Sequence, residues 1–167
     1  GDQPTNVQAK LADLYRADFP GQRAGVPAHD PLFAGVAELV ATLACRDDIA
    51  LGIATGKSRR GVARILEREG WGGHFLTIQT ADDHPSKPHP AMILEAMAEV
   101  GVEPAVTTMV GDTTYDIEMA CKAGVRAVGV GWGYHPPARL RQAGAERVVG
   151  SSQELIAAID LPQGALA

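Results

Sequence analysis

The segment Met109 to Ala120, MVGDTTYDIEMA, sets Asp112 and Asp116 four positions apart where an apolar run gives way to a helical pattern. Oxygen donors of this type suit Mg2+, which takes one or two carboxylates and completes its shell with waters and a substrate phosphate. The plainer reading is a helix cap followed by a first-turn acid that complements the helix dipole. Two other stretches carry matching chemistry. In IATGKS, Thr55 and Gly56 stand where a strand passes into a helix. Free backbone N–H groups and the positive helix terminus can take an anion there, with the Thr55 hydroxyl as a further donor; the plainer reading is that Thr55 caps the helix. In SKPHP, Lys87 lies in a loop stiffened by Pro88 and Pro90. A rigidly placed ammonium neutralises a phosphate or a charged nucleophile, whereas an ordinary lysine is a solvated surface charge. Brought to one edge, a hydroxyl, an ammonium and paired carboxylates make a phosphate-and-metal site.

Other motifs are weaker. TGKS is similar to the end of a phosphate-binding P-loop, but the first glycine of that motif is replaced by Leu51, and the P-loop reading is rejected. VGVGWG has glycines at 129, 131 and 133 after a strand, but the acidic residue expected at the end of a following strand is missing, so a tight turn with close backbone approach is expected. His84 and His89 flank Lys87 without metal-cluster spacing and read as polar loop residues.

These residues need elements to hold them. Val7 to Asp18 has helical spacing and Phe19 to Pro31 reads as a Pro/Gly-rich connector. After it come a helix over Leu32 to Ala44 and an apolar run, Asp48 to Ala54, suited to a strand buried on both faces. A helix opens at Thr55 to Lys57 and stops at Gly70; a strand follows over Phe75 to Gln79, then a helix from Pro90 to Gly101. Thr107 to Val110 and Val125 to Val130 are expected strands on either side of a helix from Thr114 to Ala123. Pro136 to Ala143 reads as a helix, Arg147 to Val149 as a strand, and Ser152 to Ile159 as a helix capped by Ser152. Strands alternating with helices predict an α/β fold with a parallel sheet covered on both faces and ligands beyond the carboxyl ends of the strands. Thr55, Asp112 and the loop after Val130 all fall on that edge.

With 167 residues and 46% hydrophobic content, the chain fits one globular domain with a sizeable core. Twenty acidic against 15 basic residues give a net charge of -5 and no general attraction to nucleic acid or an anionic membrane. Neither partner is expected, and the longest apolar stretch is too short and too interrupted to span a bilayer. Cys45 and Cys121 sit within apolar helical patterns and read as buried free thiols, which fits a reducing cytoplasm. Oligomeric state is not legible.

The order of IATGKS, SKPHP and GDTTYDIEMA resembles the haloacid dehalogenase-like hydrolases, especially their phosphoglycolate phosphatase-like branch, from about Asp30 to the end. The resemblance implies a three-layer, Rossmann-like core over residues 30–167, with residues 1–29 as the remnant of a helical cap and its linker. It implies a Mg2+-dependent phosphatase acting on a small phosphorylated metabolite. Thr55, with Gly56 and Lys57, would bind the phosphoryl group; Lys87 would stabilise its charge and the nucleophile. Asp112 would hold Mg2+, and Asp116 would support the metal shell or orient Lys87. One departure stands out. The family's first strand carries an Asp-x-Asp pair whose first member attacks phosphorus, and neither Asp47–Asp48 nor Asp82–Asp83 follows a strand. That strand, central in the family between those ending at Thr55 and Asp112, is expected to come from another segment, and residues 1–167 alone are expected to be inactive. The alternatives are a non-catalytic phosphate- or metal-binding domain and a dehalogenase, for which the metal-type acids would be of little use.

Overall fold

Residues 31–160 are described by the computed structural model, and helices and strands alternate through them. In chain order they are α1 (Val36–Ala44), β1 (Gly52–Thr55), α2 (Arg59–Glu69), β2 (Thr77–Thr80) and α3 (Ala91–Val100). A 3-10 turn at Pro104–Val106 leads to β3 (Thr108–Gly111), α4 (Thr114–Ala123), β4 (Arg126–Val130), α5 (Pro137–Gln142), β5 (Arg147–Val149) and α6 (Ser152–Asp160). The helix expected at Val7 to Asp18, the cap remnant over 1–29 and nearly all of the connector lie outside the described residues.

Local chemistry sets the helix ends. Ser58 accepts a hydrogen bond from Gly61 N and starts α2, and Gly70 closes it in the left-handed conformation at φ 69°. Ser58, not Thr55, is therefore the cap. At α6 the hydroxyl of Ser151 accepts from Glu154 N at 3.2 Å, so Ser152 is already inside the helix it was expected to cap. Thr113 caps α4 and forms a capping box with Asp116, satisfying two backbone N–H groups that the first turn leaves open.

The strands form two parallel sheets rather than one. β1 pairs with β2, Gly52 opposite Thr77 through Thr55 opposite Thr80. β4 lies between β3 and β5 in the second sheet. Among the described residues, β1 and β3 make no ladder with each other. Burial differs from strand to strand. All five residues of β4 are buried, whereas Gly52 is exposed and Ile53 and Ala54 are half-buried. The expected strand over Asp48 to Ala54, buried on both faces, is shorter and more open, because β2 offers a ladder partner only from Thr77 onward and no second ladder partner of β1 is found among the described residues.

β4 divides the core by its two-residue period. Ala127 joins a cluster with Met92, Ile93, Ile117, Met119 and Leu140 from α3, α4 and α5. Val128 and Val130 join the opposite cluster with Leu39 and Leu43 of α1 and Leu155 and Ala158 of α6. This is a layered α/β arrangement with helices on both faces. Cys45 and Cys121 are free but exposed, contrary to expectation. Cys45 falls just past the last buried turn of α1, and Cys121 occupies the outer side of α4, where Ala120 and Ala123 take the buried positions. No helix among the described residues is long and apolar enough to cross a membrane.

Candidate functional site

Lys87 joins the two sheets. Its Nζ donates to the Ala54 carbonyl at the end of β1 at 2.9 Å and to Asp116 Oδ1 in the first turn of α4 at 2.6 Å. Three stretches far apart in sequence thereby meet within one hydrogen-bond shell. The Asp116 side chain is 7% exposed and that of Lys87 18%, so the pair is mostly withdrawn from water. A buried ion pair of this sort is costly to break, because the remaining partner keeps its desolvation penalty. The Lys87–Pro88 peptide bond is cis.

Asp116 is fully engaged by protein. Oδ1 accepts a hydrogen bond from Lys87 Nζ, and Oδ2 accepts from Thr113 N at 3.1 Å and from the Thr113 hydroxyl at 2.8 Å. It packs so closely over the end of β3 that a Cβ on Gly111 would lie 2.1 Å from the Asp116 Cβ. The glycine of the Gly-Asp pair is thus required by the acid five positions later.

Asp112 is half-buried and held differently. Tyr134 N donates to its Oδ2 at 2.9 Å and His135 N to its carbonyl at 3.0 Å. Oδ1 receives no hydrogen bond from the described residues. The loop after β4 is draped over this aspartate, and a Cβ on Gly133 would come within 2.1 Å of the Asp112 Cβ. VGVGWG therefore does provide the close backbone approach expected of it. His135 anchors the loop from the other side, its Nδ1 accepting from Thr114 N at 3.0 Å.

Thr55 ends β1, next to the carbonyl that Lys87 binds, and its hydroxyl accepts from Lys57 N at 3.2 Å. Gly56 and Lys57 are exposed in the turn that follows. A clip ties this turn to the lysine loop. Arg59 N donates to Asp82 Oδ2 at 2.8 Å, Arg59 Nη2 pairs with Asp83 Oδ2 at 2.5 Å, and Ala81 N donates to Lys57 O at 3.3 Å. The Arg59 guanidinium, helped by the Thr80 hydroxyl, holds the Asp83 carboxyl below its ordinary value.

The described residues contain no group of three or more His, Cys, Asp and Glu side chains placed to hold a metal. What they offer is one carboxylate oxygen, Asp112 Oδ1, at the rim. That fits a cation content with one or two protein ligands, completed by water and a phosphate. Ala54 O, Thr113, Tyr134 N, His135 and Arg59 are the parts that sequence reasoning missed. Their contacts are backbone or long-range, and only the Thr113-to-Asp116 capping pattern had a local signature.

With this geometry in hand, the similarities to known proteins are specific. The family described as haloacid dehalogenase-like hydrolase matches residues 20–130. The chain is 40% identical over 129 residues to "Probable phosphatase IndB" of Dickeya dadantii, an overlap of 76% of this chain and 55% of that protein. It is 33% identical over 128 residues to the phosphoglycolate phosphatase of Synechococcus elongatus, covering 77% of this chain and 59% of that enzyme. The crystal structure of a hydrolase from Pseudomonas syringae superposes with a TM-score of 0.67 at 26% identity, over 77% of this chain and 58% of the other. The chain spans a little over half the length of each of these proteins.

Proposed function

Because the chain belongs to the haloacid dehalogenase-like hydrolases, we propose that it supplies the phosphate-binding half of a Mg2+-dependent phosphomonoesterase acting on a small phosphorylated metabolite. The observation that carries this reading is the double engagement of Lys87 with Ala54 O and Asp116 Oδ1. It leaves one ammonium proton for a phosphoryl oxygen, next to Thr55 and the turn at Gly56 and Lys57. In this reading Asp116 orients Lys87 rather than ligating metal, since both its oxygens are already bonded within the protein. Asp112, through Oδ1, would hold Mg2+. Bound there, the cation would offset the negative charge of the phosphoryl group. The Thr55 hydroxyl and the backbone N–H groups of the turn would orient the phosphoryl oxygens by directional hydrogen bonds.

The nucleophile would come from a strand seated between β1 and β3. The lack of a ladder between β1 and β3 among the described residues, the half-exposed side chains of β1 and the greater length of the relatives support this placement. An aspartate on that strand would attack phosphorus, expel the alcohol leaving group and form an aspartyl-phosphate, which water would then hydrolyse to inorganic phosphate. We further propose that residues 30–167 form the core domain and 1–29 the end of a cap. The test is hydrolysis of p-nitrophenyl phosphate by the full-length gene product, with and without Mg2+. Turnover that needs Mg2+ and falls at least about 1,000-fold in Lys87→Ala and in Asp112→Asn is expected. Wild-type rates in either variant would refute the assignments. The second reading, a non-catalytic phosphate-binding domain, takes its support from the absence of an Asp-x-Asp pair among the described residues. Phosphate binding by the full-length product without turnover would favour it.

A further inference from the structure

β2 carries a row of polar residues that its position does not explain. Thr77, Gln79 and Thr80 are 4%, 3% and 0% exposed, on a strand whose neighbours in sequence are apolar. Buried polar groups persist where every one is hydrogen-bonded, and these are joined end to end. Gln79 Nε2 donates to the Thr77 hydroxyl at 2.8 Å, and that hydroxyl donates to Glu99 Oε2, near the end of α3, at 2.5 Å. The Thr77 hydroxyl, with the Gln79 amide as a lesser contributor, holds the Glu99 carboxyl below its ordinary value. With its amide nitrogen on the Thr77 hydroxyl, the Gln79 oxygen faces the other way. There it meets His84 Nε2 at 2.6 Å. A carbonyl oxygen only accepts, so His84 carries its proton on Nε2 and donates. The polarity is continuous: His84 to Gln79 to Thr77 to the Glu99 carboxylate.

The relay ends in the loop that presents Lys87. Upstream of it, Thr80 and Arg59 hold Asp82 and Asp83. Between that clip and Lys87, His84 is the only side chain seen bonded to the sheet. We propose that His84 is a positioning residue for Lys87: its Nε2–H bond to Gln79 fixes the loop so that the ammonium reaches both Ala54 O and Asp116. Its functional meaning rests on Lys87 facing a phosphoryl group, while its geometry does not. A single local anchor matters here because the Lys87 site joins two sheets that share no ladder, so a small shift of the loop would separate Nζ from one of its two acceptors.

The experiment is NMR of the 15N-labelled 167-residue chain, following the Lys87 ammonium signal, assigned by its loss in Lys87→Arg. Held by two acceptors, this signal is expected to exchange slowly with water in the wild type. His84→Phe keeps a ring but removes the donor; His84→Gln puts a donor near the place of Nε2. Loss of the slow signal in the first and its return in the second are the expected result. An undiminished signal in His84→Phe would overturn the proposal, as would equal loss in both variants, which would assign the effect to ring packing. Should His84→Phe not fold, Thr77→Val interrupts the same relay away from the loop and is expected to broaden the Lys87 signal and shift that of the His84 Nε2 proton; no change in either would overturn the relay. Inorganic phosphate is then titrated. It is expected to move the wild-type Lys87 signal and to bind roughly 2- to 10-fold more weakly to His84→Phe, the equivalent of one ordinary hydrogen bond. A Lys87 signal that depends on His84 but ignores phosphate would overturn the phosphate reading and leave the positioning role standing.

Discussion

The two sheets of this molecule are built from the same kind of sequence and have different environments. In the β3–β4–β5 sheet the central strand has a ladder on each side and helices on both faces, and none of its five residues is exposed. In the β1–β2 sheet each strand has one ladder among the described residues, and β1, unlike the largely buried β2, is exposed or half-exposed throughout. Residue type does not account for this: Ile53 and Ala54 are as apolar as Val128 and Ala127. What differs is whether a neighbour covers the strand, and the candidate site lies where that covering stops. There, a single ammonium bonded to both sides takes the place of backbone pairing.

Cutting that bridge should have the largest effect. Lys87→Met leaves the Asp116 carboxylate buried without its counter-charge and is expected to lower stability by about 3 kcal/mol, read as the urea midpoint. An unchanged midpoint would mean that the bridge does not hold the sheets together. Glycine substitutions sharpen the contrast between the two rims. Gly111→Ala forces a Cβ against Asp116 and is expected to cost about 2 kcal/mol. At Gly56, in the turn after β1, a Cβ meets nothing within 4 Å, so Gly56→Ala should stay within about 0.5 kcal/mol of the wild type. Equal costs at both positions would show that the packing difference has no energetic weight.

Acid should act on the β1–β2 side with the smallest effect. Asp83, bonded to Arg59, and Glu99, bonded to Thr77, both have carboxyl groups lowered from their ordinary values. Their stabilisation is complete above the unfolded carboxylate range of about pH 4 and is lost as the pH falls through the depressed folded values. Hydrogen exchange monitored from neutral to acid pH, corrected for intrinsic rates, should show protection in β2 falling below about pH 4 before that in β4. Loss that began in β4 would contradict this.

Much of this was legible from short spans of sequence. α4 runs from Thr114 to Ala123 as expected, because Thr113, Asp116 and Gly124 act within one turn of its ends. The ends of α3 were equally readable from Pro90 and Gly101. Where two adjacent serines competed, at 151 and 152, spacing alone chose the wrong one, since the cap depends on which hydroxyl reaches the N–H of Glu154. The two cysteines were misjudged for a related reason: an apolar pattern shows that a helix has a buried side but not which residues fall outside it.

The amino-acid order by itself determined the alternation of strands and helices and picked out Thr55, Lys87, Asp112 and Asp116 as the residues of the proposed site, because caps, turns and residue chemistry act over a few neighbouring positions. Only the tertiary structure decided that Asp116 is taken by Lys87 while Asp112 keeps an open oxygen, that His84 has a buried amide as its partner, and that β1 and β3 share no ladder. The contacts of Lys87 with Asp116 and of Tyr134 with Asp112 depend on groups 29 and 22 positions apart arriving within about 3 Å of each other, and the His84 contact, though only five positions long, depends on how β2 packs against α3. Such meetings are set by how whole elements pack, and no local pattern encodes them.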